Sequence, residues 1–174
     1  MQVFDGVLDI LDGQLWVASE NDEIGPDLWA SFLGQQNGLL GAAEQGTLRL
    51  IFGKADGDVG LSVYVEEREP ELDPSWEECV EVSFSPVKPV VALFDWDGQP
   101  EFEIPLGDGT YRVRYTARDM DAGHSYTKMD VYALWFWPAP PAPDAIVKQS
   151  SESAAYWHAA IARETSVRSQ ASED

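Results

Sequence analysis

The chain has a single cysteine, Cys79, and two histidines, His124 and His158, among its 174 residues. One thiol cannot close an intrachain disulfide, and there is no cysteine cluster to hold zinc, so a reducing, cytoplasmic setting is expected. With histidine so scarce, the commonest general base is scarce too. No Gly-x-Ser-x-Gly elbow, His-Glu-x-x-His helix, phosphate-cradling Walker loop or dinucleotide-binding glycine fingerprint occurs. No catalytic residue, metal ligand or cofactor is therefore assigned, and a non-enzymatic protein is expected. Bases are also few: eleven Lys and Arg stand against 31 Asp and Glu, a formal charge of −20. Such a field repels nucleic acid and anionic lipid, so neither is expected as a partner. Basic proteins and cations remain, and solubility alone is reason enough for much of the charge. Long apolar runs are absent as well. The opening segment MQVFDGVLDILDG carries no basic flank, so neither a signal peptide nor a membrane span is expected.

What the chain does contain is core material: 44% hydrophobic residues, with seven Trp, seven Phe and six Tyr. This suffices for one domain that folds alone. Short β-rich runs recur at 6–11, 14–19, 47–52, 60–67, 79–85, 90–95, 101–104, 110–118 and 129–137, separated by Gly, Pro and Asp clusters. That spacing predicts a mainly β protein, an antiparallel β-sandwich. In 110–116 the period of two puts Tyr111, Val113 and Tyr115 on one face and Thr110, Arg112, Arg114 and Thr116 on the other. Phe52, Tyr64, Phe84, Phe94, Tyr111, Tyr115 and Trp135 are expected to furnish the core. A short early helix is expected over 26–33, where Pro26 suits a first turn and Leu28, Trp29, Phe32 and Leu33 share a face. The run 138–143, rich in proline, reads as an extended linker, dividing a sandwich domain (1–137) from a polar tail (144–174). In that tail a helix is expected over 154–163, with Ser153 as its N-cap.

Two acidic features invite a function. In FDWDG (94–98), Asp95 and Asp97 have the spacing that opens a calcium loop, yet Asp97-Gly98 also suits a tight turn. Asp56 with Asp58, and Asp119 with Asp121, are further candidate oxygens, but no twelve-residue loop closes on a glutamate. A calcium-assisted sandwich that binds a small molecule or carbohydrate is the alternative function. The densest feature is 66–78, where Glu66, Glu67, Glu69, Glu71, Asp73, Glu77 and Glu78 surround Trp76 and Arg68 is the lone base. Pro70 and Pro74 keep this run out of regular structure. It reads either as a recognition surface for a basic partner, with Trp76 as its anchor, or as a solvated connector whose tryptophan folds back onto the core.

In order along the chain, Leu15-Trp16-Val17, Gly38-Leu39-Leu40-Gly41-Ala42-Ala43 and Thr47-Leu48-Arg49-Leu50-Ile51-Phe52 are followed by Val80-Glu81-Val82-Ser83-Phe84. Then come Phe102-Glu103-Ile104-Pro105-Leu106-Gly107-Asp108-Gly109-Thr110-Tyr111-Arg112-Val113 and Met129-Asp130-Val131-Tyr132. Over about residues 6–135 this resembles the competence protein J family, bacterial inhibitors of a DNA-entry nuclease. The resemblance implies a β-sandwich whose relatives block a nuclease. It agrees with the charge, because a nuclease's phosphate groove is basic. An inhibitor or immunity-like module for a basic nuclease or toxin is the function expected.

Overall fold

Alternating apolar residues build most of the molecule, and the computed structural model describes residues 1–20, 27–124 and 128–173. The strands are β1 (Gln2–Ile10), β2 (Gln14–Ala18), β3 (Leu40–Gly41), β4 (Leu48–Ile51), β5 (Gly57–Val65), β6 (Glu78–Phe84), β7 (Val90–Phe94), β8 (Pro100–Pro105), β9 (Tyr111–Arg118), β10 (Val131–Pro138) and β11 (Ala145–Lys148). One α-helix follows, α1 (Glu152–Ala171). The strands form a six-stranded sheet in the order β1-β5-β10-β9-β6-β11 and a five-stranded sheet in the order β3-β4-β2-β7-β8. Leu8, Val63, Val82, Val113 and Leu134 of the first sheet and Leu15, Leu48, Leu93 and Ile104 of the second belong to one buried cluster. The arrangement is sandwich-like, and the pairing is antiparallel except where β10 runs parallel to β5.

Two tyrosines tie the layers together. Tyr115 of β9 and Tyr132 of β10 stack with ring centroids 5.6 Å apart. Both hydroxyls reach across the core: Tyr115 donates to the Ile51 carbonyl at 3.0 Å, and Tyr132 accepts from the Gly53 amide at 2.8 Å while donating to Asp130 at 2.5 Å. Asp130, fully buried, is neutralised by Lys54 at 2.9 Å. Burial drives both phenols well above their ordinary range, so they act as neutral hydroxyls.

The turns behave in two ways. Asp97-Gly98 closes the β7–β8 hairpin with Gly98 at φ +75°, and Asp95 accepts from the Gln99 amide at 2.8 Å. Asp12-Gly13 turns no hairpin and passes the chain from one sheet to the other, with φ +60° and +68°. This corner is bonded to the next crossover, through Gly13 N–H to the Ala55 carbonyl at 2.7 Å.

The expected early helix is only a 3₁₀ turn, Trp29–Phe32, ending where Leu33 adopts extended geometry. A segment this short gains too few hydrogen bonds to offset helix nucleation, and tertiary contact shapes it instead: Phe32 packs on Ile51 and Ile161. Pro26 lies outside the described residues. Tyr64 and Trp135, expected in the core, lie half-buried on the outer face of the six-stranded sheet, stacked on each other at 5.3 Å. Period two puts them opposite Val63 and Leu134. Downstream of the prolines, β11 adds to the edge of the sheet beside β6. Helix α1 starts two residues before the expected N-terminus, with Ser151 rather than Ser153 capping Ala154 N–H at 3.1 Å.

The tyrosine pair gives a test of how the sheets are held. Tyr132→Phe strips a partner from a buried carboxylate and from a backbone amide, and should cost about 2–3 kcal/mol; Tyr115→Phe leaves one carbonyl unpaired and should cost about 1 kcal/mol. Urea unfolding of both variants checks the order, and a larger loss for Tyr115→Phe would contradict the bridging role given to Tyr132.

Candidate functional site

The acidic connector lies across the outer face of the six-stranded sheet, and the residues beneath it explain why. Arg112 and Arg114 project from β9 on the side opposite Tyr111, Val113 and Tyr115. Only 4% of Arg114 is exposed. It donates to Glu81 of β6 at 3.0 and 2.8 Å, to the Pro70 carbonyl at 2.7 Å and to Glu69 at 3.2 Å, and its guanidinium lies 5.2 Å from the Trp137 ring. Arg112 takes the other oxygen of Glu81 at 3.2 Å. A buried guanidinium needs several acceptors to offset its lost hydration, and the connector supplies two of them.

Trp76 seals the next section. Arg118 stacks over it at 4.1 Å, and its ring meets Trp135 edge-on at 5.8 Å, extending the Trp135–Tyr64 stack. Lys148 of β11 donates to the carbonyls of Trp76 and Pro74 at 2.7 and 3.1 Å. The tryptophan thus folds back onto the sheet, although onto its outer face and not into the core.

The seven acids of the connector divide into three groups. Glu67, Glu69, Glu71 and Asp73 are exposed. Glu66 and Glu77 are half-buried; Glu66 pairs with the Met1 ammonium at 2.9 Å and Glu77 accepts from the Asp119 amide at 3.1 Å. Glu78 is fully buried and accepts from the amides of Ser150 and Ser151 at 3.0 and 2.6 Å, fastening the start of α1 to β6. Burial raises the Glu78 carboxyl above its ordinary range, against the lowering effect of the Ser151 and Ser150 amides. Asp73 is held below its range by hydrogen bonds from Ser75, which fold the 73–76 turn. Glu78 therefore has no face for a partner, and the acids left facing solvent are Glu67, Glu69, Glu71 and Asp73, with Glu66, Glu77 and Trp76 partly accessible.

Four of the six aspartates considered for calcium are occupied otherwise. Asp95 closes its own turn, Asp56 accepts from the Asp12 amide at 3.3 Å, and Asp119 pairs with Lys128 at 2.7 Å. Asp121 caps α1 from outside, accepting from the amides of Glu152 and Ser153 at 3.0 and 2.9 Å. Among the described residues no group of three or more His, Cys, Asp or Glu side chains is placed to hold a metal ion. Cys79 is buried, with its thiol pushed up to about 11 by desolvation.

Sequence reasoning missed the Arg112–Glu81–Arg114 ladder. Its signal was present, since two arginines alternating with core residues in a central strand must find carboxylates. What pointed nowhere in the sequence was the identity of those carboxylates, one 33 residues and one 45 residues away.

The fold has known likenesses. The crystal structure of ComJ, inhibitor of the DNA degrading activity of NucA, from Bacillus subtilis, superposes with a TM-score of 0.56 at 17% identity, covering 80% of this chain and 98% of that one. The crocagin biosynthetic gene J protein superposes with a TM-score of 0.52 at 11% identity, covering 78% and 96%. No protein-family model and no curated protein sequence matches. The resemblance to competence protein J read from the sequence thus extends to the architecture, and at these identities the likeness is one of fold.

Glu78 supplies the test of which acids are structural. Glu78→Ala should cost about 2–3 kcal/mol by leaving two buried amides without an acceptor, whereas Glu78→Gln keeps an acceptor and should cost much less at neutral pH. Because the folded state raises this carboxyl, it binds more protons than the unfolded chain, so the parent loses stability as pH rises from the ordinary carboxylate range through the raised value. The glutamine variant lacks that loss. Urea melts at about pH 4 and about pH 7 should show the parent's advantage over Glu78→Gln shrinking with rising pH.

Proposed function

We propose that this chain is a non-enzymatic, acidic binding protein that inhibits or neutralises a basic protein partner, a nuclease or a toxin. The observation that carries the proposal is a fold shared with a nuclease inhibitor, joined to a particular allocation of charge. Lys54, Arg112 and Arg114 are drawn into pairs at or beneath the surface, Arg118 is stacked on Trp76, and Arg49 is buried against Ser31, Gln14 and Trp16. Lys88, Lys128 and Arg168 are paired with carboxylates at the surface. Paired bases and acids cancel, so the acidic excess of the composition is left on carboxylates with no base beside them. A surface of that kind competes with DNA for a phosphate-binding groove, because both offer a dense array of negative oxygens to the same bases.

In this reading Glu67, Glu69, Glu71 and Asp73 steer the partner, and the ladder beneath them holds the connector in one shape before contact. A prearranged loop loses less conformational freedom on binding than a mobile one. The half-buried Trp76 lends its accessible edge to the interface.

The chain, added to a panel of basic endonucleases cutting plasmid DNA, should inhibit at least one of them, and inhibition should weaken as salt rises. Replacing Glu67 and Glu71 with glutamine should slow association severalfold, by roughly three to ten times, and flatten its salt dependence without changing the melting temperature. Stopped-flow binding measures both. An unchanged rate and salt slope would make the connector a solvated loop, and no inhibition of any basic nuclease or toxin would sink the proposal itself.

A further inference from the structure

The outer face of β1 and β5 is unlike the wet face of an ordinary antiparallel sheet. In register, Asp5 meets Ser62, Val7 meets Gly60 and Asp9 meets Asp58, while Leu8, Ile10, Val59, Leu61 and Val63 point into the core. Small residues at 60 and 62 leave the floor low. Val7 (57% exposed) and Met129 (40% exposed) stand beside it, and Tyr64, Trp76 and Arg118 close one end. The result is an open groove of about 450 Å³. Its depth depends on Gly60, where an added Cβ would come within 2.9 Å of Val131 Cγ1.

Charge is graded along this groove. Arg118, the one base among its lining residues, sits at the Trp76 end and faces Asp73. Asp9 and Asp58 follow two residues past Val7 and Gly60, just outside the residues that line the groove; nearby, Lys54 donates to the Asp58 carbonyl at 2.8 Å and pairs with Asp130, and Lys128 pairs with Asp119. Asp9 and Asp58 are exposed and directly opposite each other, an arrangement that like charges disfavour in a sheet. Among the described residues no ion pair involves Asp5, Asp9 or Asp58. A largely apolar trough leading to two carboxylates that make no ion pair matches a lysine or arginine side chain, whose long apolar stem and terminal charge need those two surfaces in that order.

We propose that this groove receives an extended, lysine- or arginine-bearing segment of the basic partner, the stem lying along Val7, Val131 and Met129 and the cation held between Asp9 and Asp58. The proposal rests on the inhibitory reading above and names its contact surface. That surface adjoins the connector: Trp76 is at once the end wall of the groove and the fixed point of the acidic run, so the two surfaces are continuous.

The double variant Asp9→Asn, Asp58→Asn and the groove-filling variant Ser62→Trp test it, with Glu101→Gln, Glu103→Gln on edge strand β8 of the other sheet as a control of equal charge change. Probes are the inhibited nuclease and an acetylated Lys-Val-Lys-Val-Lys amide, with affinity measured by calorimetry and oligomeric state by sedimentation. The two groove variants should each bind about tenfold or more weakly while the control stays within about twofold. The Asn pair should at the same time melt higher than the parent, because like-charge repulsion is gone; a purely structural pair would not lose binding while gaining stability. If the parent binds and the groove variants match the control, the groove is overturned and the inhibitory reading stands. If the parent binds neither probe, both fail. If the parent is a dimer that Ser62→Trp dissociates, the groove takes a second copy and the proposed occupant is wrong.

Discussion

Two phenolic hydroxyls hold this molecule's layers in register, and much of its architecture follows from them. Hydrophobic contact between sheets is non-directional and would tolerate sliding, whereas Tyr115 and Tyr132 each reach one backbone group on the far side, the Ile51 carbonyl and the Gly53 amide. Asp130 and Lys54 complete the set, so a buried charge is paired and every strong donor near it has a use. The same stretch, 51–55, also anchors the Asp12-Gly13 corner through Ala55 and Gly13. Two of the four places where the chain changes sheets, β1 to β2 and β4 to β5, are thereby tied to one point, which fixes how β1 and β5 come to lie side by side and hence where the groove is.

The acidic connector shows one segment serving structure and surface together. Its backbone and Glu69 satisfy Arg114, a guanidinium that would otherwise be buried with a single carboxylate for company. Its tryptophan covers the Trp135–Tyr64 stack. Those inward duties leave the remaining carboxylates pointing outward on a rigid support. Two readings of 66–78 that looked exclusive, a recognition surface and a connector folded back on the domain, are compatible because the side chains that fold back are not the ones left facing solvent.

The strands were largely legible. Nine of the runs in the sequence became strands with ends shifted by a few residues, because period-two patterning reports directly which side chains avoid water. The likeness to ComJ was legible too, in turn and strand order more than in identities. The misses share a cause. Leu40–Gly41 and Ala145–Lys148 are strands only because a neighbouring edge, β4 or β6, was free to pair with them. Tyr64 and Trp135 carry the same apolar signal as core aromatics, and alternation along their own strands set them outside. Glu78 is indistinguishable in sequence from Glu77, yet one is buried beneath the start of α1 and the other is half-exposed.

Composition and local pattern determined that this would be an acidic, mainly β chain without catalytic or metal-binding signatures, since those properties depend on residue type and near neighbours alone. Tertiary structure decided which acids face solvent, which of them meet a base, and that Asp9 and Asp58 stand opposite each other just beyond a largely apolar groove. The physical reason is distance along the chain. Pairing of Asp9 with Asp58, of Arg114 with Glu69 and of Glu78 with Ser151 each joins residues tens of positions apart, and only the sheet register brings them within reach.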